Sequence, residues 1–112
     1  MLTHYFQGIN KRDYAEYASS ETAQGQANEP QSAFDSGYAT TTDSGMRVAT
    51  LTQAGGGDLI ATVAFTSRQS PSDSVDNSAC NDWTLYFYLV PNGAGYLIAP
   101  APSGYQSTYT DC

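Results

Sequence analysis

"ACNDWTLYFYLVPNGAGYLI", residues 79–98, decides the fold. From Asp82 to Val90 the side chains alternate, with Trp83, Leu85, Phe87 and Leu89 on one face and Thr84, Tyr86, Tyr88 and Val90 on the other, the period of two of an extended strand. "PNGAG" supplies a hairpin turn, and "YLIAP" is the returning strand, ended by Pro100 and Pro102. Cys80 and the single tryptophan, Trp83, stand at the start of the stronger strand, while the second cysteine is Cys112.

The same period runs upstream. "RVATLTQ" and "DLIATVAFTSR" read as two strands joined by "AGGG", whose glycines accept the positive φ of a tight hairpin. Between the second and third strands lies "QSPSDSVDNSACN", a long polar connection expected to be mobile at its tip. Before Met46 the spacing is helical. Leu2, Tyr5, Phe6 and Ile9 share one face of a helix ending near Asn10. "DYAE" has the form of a capping box, with Asp13 accepting from the first turn and Glu16 reaching back, and starts a short helix that turns Tyr14, Tyr17 and Ala18 inward. "SETAQGQANEP" reads as polar and turn-rich; Pro30 suits the first position of a third helix with Phe34 and Tyr38 inward. Helices followed by an antiparallel sheet predict an α+β fold, with about three helices on one face of about four strands.

A chain of 112 residues fits one domain, 1–112. Nine tyrosines and one tryptophan, recurring in strand-like alternation, are expected to supply buried area that the low aliphatic count misses. Four basic residues against eleven acidic ones leave no basic stripe for nucleic acid or an anionic membrane. No apolar run reaches the roughly 20 residues that span a bilayer, and no signal-peptide pattern opens the sequence. Met1-Leu2 leads directly into a helical pattern, so an export signal and a tether are expected in segments outside this sequence. In the hairpin, the start of strand three lies beside the segment leaving strand four. "PSGYQSTYTDC" then needs only to fold back to bring Cys112 to Cys80. Such a bridge places the domain in an oxidising compartment, extracellular or at the cell surface.

The succession "YFQGINKRDYAEY", "SAFDSGYATT", Cys80 just ahead of Trp83, "YFYLV", "GYLI" and a final cysteine resembles the nuclear transport factor 2-like superfamily. More narrowly it is similar to exported domains of high-GC bacteria carried behind lipoprotein or membrane segments. The resemblance covers nearly the whole chain in order. It implies a cone-shaped, cystatin-like α+β fold, a curved sheet wrapped around helices, and a disulfide at Cys80 and Cys112. That fold hosts isomerases, cyclases, dehydratases and binding modules, so residues must decide among them. In the ketosteroid isomerase branch an Asp base works with an oxyanion hole of Tyr and protonated Asp in an apolar cavity. Tyr5 or Tyr14 stands where such a tyrosine would, but no aspartate is expected at an inward strand position: Asp58 opens a strand, Asp82 precedes Trp83, and Asp73 and Asp76 belong to the loop.

The remaining inventory is short. His4, the one histidine, reads as a surface residue on the first helix. No nucleophile elbow, phosphate-binding glycine loop or zinc motif is present, and the loop aspartates lack calcium-loop spacing; no metal or cofactor is expected. Tyr5, Tyr14, Tyr38 and Trp83 are the candidate walls of a cone for a small amphipathic ligand, as against simply filling the core. Tyr86 and Tyr88, facing away from Trp83, form a candidate interface for a protein partner or a homodimer through the sheet face. The expected function is a non-catalytic binding or accessory domain of an exported protein. The alternative is a small enzyme of the ketosteroid isomerase or polyketide cyclase type, which an inward carboxylate in an apolar cavity would favour.

Overall fold

In the computed structural model, which describes residues 1–102 and 104–112, four short helices precede a five-stranded antiparallel sheet. Helix α1 spans Leu2–Lys11 and stops where Arg12 turns left-handed at φ 58°. The Arg12 guanidinium helps hold this end, donating from Nη1 to the Ile9 carbonyl at 2.6 Å and from Nε to the Ala39 carbonyl at 3.2 Å. Helix α2, Tyr14–Ser19, starts at Asp13, whose side chain accepts the Glu16 N–H. The return half of the capping box is not made, because the Glu16 carboxylate turns to His4 Nδ1 at 3.0 Å and Lys11 Nζ at 3.5 Å. The two helices meet at Gly8. A Cβ there would lie 2.5 Å from the Tyr17 nitrogen, so no larger residue fits without moving a helix.

The polar segment after Ser20 does more than turn. Thr22 caps a further helix, α3, at Ala23–Asn28, accepting the Gly25 N–H at 3.2 Å. This helix has no apolar stripe to signal it; it is anchored by its leading residues, since the Thr22 N–H reaches the Ile98 carbonyl and the Ile98 N–H reaches the Ser20 carbonyl. Helix α4, Gln31–Gly37, follows with Pro30 at its N-cap rather than its first turn. It buries Phe34, whose ring lies 5.4 Å from that of Tyr38. No helix among the described residues is long and apolar enough to cross a membrane.

The sheet comprises β1 (Thr42–Gly55), β2 (Asp58–Arg68), β3 (Cys80–Asn92), β4 (Gly95–Ala99) and β5 (Thr108–Asp111). The first hairpin turns through Gly56 and Gly57, at φ 60° and 85°, the double positive φ that fits the twist of antiparallel strands. Strand order is β1-β2-β3-β4, with β5 added to the same edge of β3 as β4. β4 pairs with residues 88–92 of β3 and β5 with residues 81–84. In the interval between them the Tyr105 hydroxyl accepts the Tyr86 N–H at 2.8 Å. Helix α3 and strand β5 are elements beyond the sequence expectation. Both rely on tertiary partners, for neither carries a strong period of its own.

Inward residues of the sheet meet the helices in two clusters. Phe6 packs with Ala61, Val63, Phe87, Leu89 and Ile98, while Ile9, Tyr17 and Phe34 pack among the helices. Each large apolar side chain buried there contributes about 2 kcal/mol relative to an exposed one. The alternation read in β3 is observed: Phe87 and Leu89 are buried, whereas Tyr86 stays 46% exposed. Cys80 and Cys112 form a disulfide with Cα atoms 5.3 Å apart, and neither cysteine is free. The bridge is consistent with an oxidising environment.

Candidate functional site

A cavity of about 310 Å³ lies between α1, α4 and the inner face of β2 and β3. Tyr5 contributes from α1, Tyr38 from the end of α4, Phe65 from β2 and Trp83 from β3. Tyr5 packs edge-on against Phe6 and Phe87, so the core fixes its ring. The Trp83 ring is backed by Tyr109 of β5 at 4.8 Å between centroids. Tyr14 stands elsewhere: its ring leans on Phe34 at 5.4 Å and its hydroxyl donates to the Glu29 carbonyl. Of the four ring residues proposed from sequence, three therefore share one cavity.

The fourth wall is a residue the sequence reading passed over. Asp43, the second residue of β1, is 5% exposed and lines the cavity. The expectation that no aspartate points inward from a strand is overturned here. It failed because the alternation of "RVATLTQ" suggested a strand starting near Met46, whereas β1 begins at Thr42 and bulges between Ser44 and Arg47. The bulge breaks the period that would have marked Asp43. One side chain, Asn10 of α1, accepts the Asp43 N–H and donates to its carbonyl, which fixes the backbone and frees the carboxylate.

The Asp43 carboxyl has a buried Oδ1 with no hydrogen-bond partner among the described residues. Burial pushes its pKa up to about 6, against the opposing pull of the Ser67 hydroxyl and the Arg12 charge. Burial acts on the phenols too. It raises Tyr38 to about 12, with the Glu29 charge adding to the effect, and Tyr5 well above the ordinary tyrosine value. Both hydroxyls therefore remain neutral donors near pH 7. A carboxyl titrating near neutrality beside neutral phenols can accept a hydrogen bond or a proton from a bound molecule.

The far end of the cavity is closed by the connection between β2 and β3. Asn81, 1% exposed, accepts from Gln69 Nε2 at 2.9 Å and donates to both Asp76 oxygens at 3.2 Å and to Asp111 Oδ1 at 3.3 Å. One amide thus joins the loop, the sheet and β5. Asp73 accepts from the Thr40 hydroxyl at 2.6 Å, tying the same loop to the segment after α4. Asp82 accepts from the Thr66 hydroxyl on the outer face. His4 lies on the helical surface with Glu16, its side chain 60% exposed.

Tyr86 and Tyr88 occupy the outward face as read, but Tyr105 covers part of it. The Tyr105 ring stacks on Tyr86 at 5.5 Å and meets Tyr88 edge-on at 6.2 Å. Any partner reaching this face meets Tyr105 as well. No protein-family model matches the chain, and no curated protein or solved structure matches it either.

Proposed function

We propose that the domain is a ligand-binding module of the nuclear transport factor 2-like kind, taking a small amphipathic molecule into the cavity of Tyr5, Tyr38, Trp83 and Asp43. The observation that carries this reading is the buried Oδ1 of Asp43, unpartnered among the described residues, in a cavity that combines the rings of Tyr5, Tyr38, Phe65 and Trp83 with polar side chains. A buried acceptor without a donor costs about 1–3 kcal/mol, and a ligand hydroxyl or N–H would recover it. The superfamily assignment draws support from the element order and from the position of the cavity between helices and sheet. The cell-surface placement draws on the disulfide, and the tether on the sequence resemblance alone.

A second reading is favoured by the same residue. A carboxyl held near pH 6, close to two neutral phenols, has the properties of a general base with its electrophilic partners. The domain would then be a small isomerase or cyclase. One experiment addresses both. Thermal-shift screening with amphipathic metabolites identifies ligands, and each hit is assayed for turnover with wild type and Asp43→Asn. Binding that depends on Tyr38 and Trp83, without turnover, supports the module. Turnover abolished by Asp43→Asn establishes the enzyme, and hits indifferent to all three positions remove the cavity from consideration.

A further inference from the structure

A second cleft, of about 330 Å³, opens where α2 and α3 meet the edge of β3 and β4. It shares Tyr5, Leu85 and Ser107 with the Asp43 cavity and otherwise has its own lining. Its acidic residues are Glu21 and Glu29, with Asn28 and Ser107 also polar; its apolar wall includes Tyr17, Tyr86, Phe87 and Tyr105. None of the four Lys and Arg side chains lines it.

Glu21 is set in place by the backbone. It forms a parallel bridge with Ile98 of β4, flanked by the hydrogen bonds from Thr22 and to Ser20. The side chain then lies against Gly25, where an added Cβ would fall 2.5 Å from Oε2. Glu21 is 9% exposed, and its Oε1 is buried without a hydrogen-bond partner among the described residues. Glu29, at the end of α3, accepts from the Tyr17 hydroxyl at 3.4 Å. The Tyr17 hydroxyl thus serves Glu29, and burial raises both carboxylates above the ordinary glutamate value. Two acids in one aromatic cleft, one with an empty acceptor, lack a positively charged donor.

We propose that this cleft binds a small protonated amine, its N–H groups donating to Glu21 and Glu29 and its charge facing the rings of Tyr17, Tyr86 and Tyr105. Aromatic faces attract an ammonium group, and more strongly where water is excluded. The unpartnered Oε1 selects for a donor, which a quaternary ammonium lacks. The volume is at the lower end of small-molecule sites, which suits an alkylammonium or a short diamine. Tyr105 sets the width of the site, because its hydroxyl is held by the Tyr86 N–H and its ring by the Tyr86 ring.

Three probes separate charge from hydrogen bonding: butylammonium carries both, n-butanol donates without charge, and tetramethylammonium is charged without a donor. Titration of the intact disulfide-bonded protein, followed at the Gly25 and Ala99 amides by NMR, should give saturable millimolar binding of butylammonium. The other two probes should bind at least about tenfold more weakly. Glu21→Gln should weaken butylammonium by about tenfold or more, with Glu29→Gln as the second variant if the first does not fold. Equal binding of n-butanol or tetramethylammonium, affinity unchanged in a folded Glu21→Gln or Glu29→Gln protein, or no saturation up to about 50 mM would overturn the proposal. So would a preference for calcium over butylammonium. The Asp43→Asn variant should bind butylammonium as wild type does, which keeps this site's failure distinct from failure of the Asp43 cavity.

Discussion

Asn10 holds Asp43 by its backbone on both sides: Nδ2 donates to the Asp43 carbonyl at 2.9 Å, and Oδ1 accepts the Asp43 N–H at 2.7 Å. A single helical side chain thereby does the pairing that a neighbouring strand would do on one side of Asp43, just ahead of the register shift between Ser44 and Arg47. Replacing Asn10 with Ala leaves two backbone groups in a part-buried place without partners. The expected loss is about 2–4 kcal/mol, measured by urea denaturation at neutral pH. A loss below about 0.5 kcal/mol would mean that water replaces the amide at no cost, and that Asn10 does not position Asp43.

Asp43 also makes stability depend on pH in a direction opposite to the usual carboxylate. Its value rises on folding from 3.8 to about 6, so the folded state holds the proton more tightly than the unfolded state. The stabilising contribution is fully present below the unfolded value and is lost as the pH rises through about 6. Two units correspond to about 3 kcal/mol. Glu21 and Glu29, raised by burial as well, tilt the profile the same way. The informative quantity is therefore the difference between wild type and Asp43→Asn. That difference should favour the variant increasingly between pH 4 and pH 7, and a flat difference would contradict the burial of this charge.

Gly8 tests the helical packing. Its missing Cβ is the reason α1 and α2 can approach so closely, with the Tyr17 backbone nitrogen and Cα in the way of any side chain. Alanine ordinarily favours a helix over glycine by about 1 kcal/mol, but here Gly8→Ala should destabilise by about 2 kcal/mol or more, since backbone must move. Thermal denaturation decides the sign. A stabilised variant would show that the two helices are free to separate.

The Cys80–Cys112 bridge predicts no reactive thiol in unreduced, unfolded protein. Cys112→Ser should lower stability by about 2–4 kcal/mol. The effect should concentrate at β5, where Asn81–Asp111 and Trp83–Tyr109 are the sheet pairs that the bridge secures. Hydrogen exchange of the Tyr109 and Thr110 amides in the reduced protein is the local measure. Unchanged protection would mean that β5 stays docked without the covalent link.

What the sequence disclosed followed from periodicity. Leu2, Tyr5, Phe6 and Ile9 marked α1, and the alternation around Phe87 marked both faces of β3. The cysteine pairing followed from two cysteines and a hairpin. Hidden from such reading were features defined by partners distant in the chain. α3 is polar and is anchored by the edge of β4, β5 is four residues held by β3, and Asp43 lies before a bulge that interrupts the alternation. The site was legible in its aromatic half, Tyr5, Tyr38 and Trp83, because rings advertise burial. Its acidic half was not, because nothing local distinguishes Asp43 or Glu21 from a solvated carboxylate until the fold removes the solvent.

The bridge also determines how the domain responds to mechanical load. Force applied between residue 1 and residue 112 enters at Cys112 and passes through the sulfurs directly to Cys80, at the start of β3. β5 and the covering Tyr105 lie inside the covalent ring, off the path of tension. They cannot be peeled strand by strand, and the segment between the cysteines, a sequence separation of 32, contributes no contour length when the rest unravels. At about 3.4 Å per residue, roughly 110 Å of extension is withheld until the bond is reduced. In a single-molecule pulling experiment the oxidised domain should lengthen by that much less than the reduced one, with the wall behind Trp83 among the last parts to come under load.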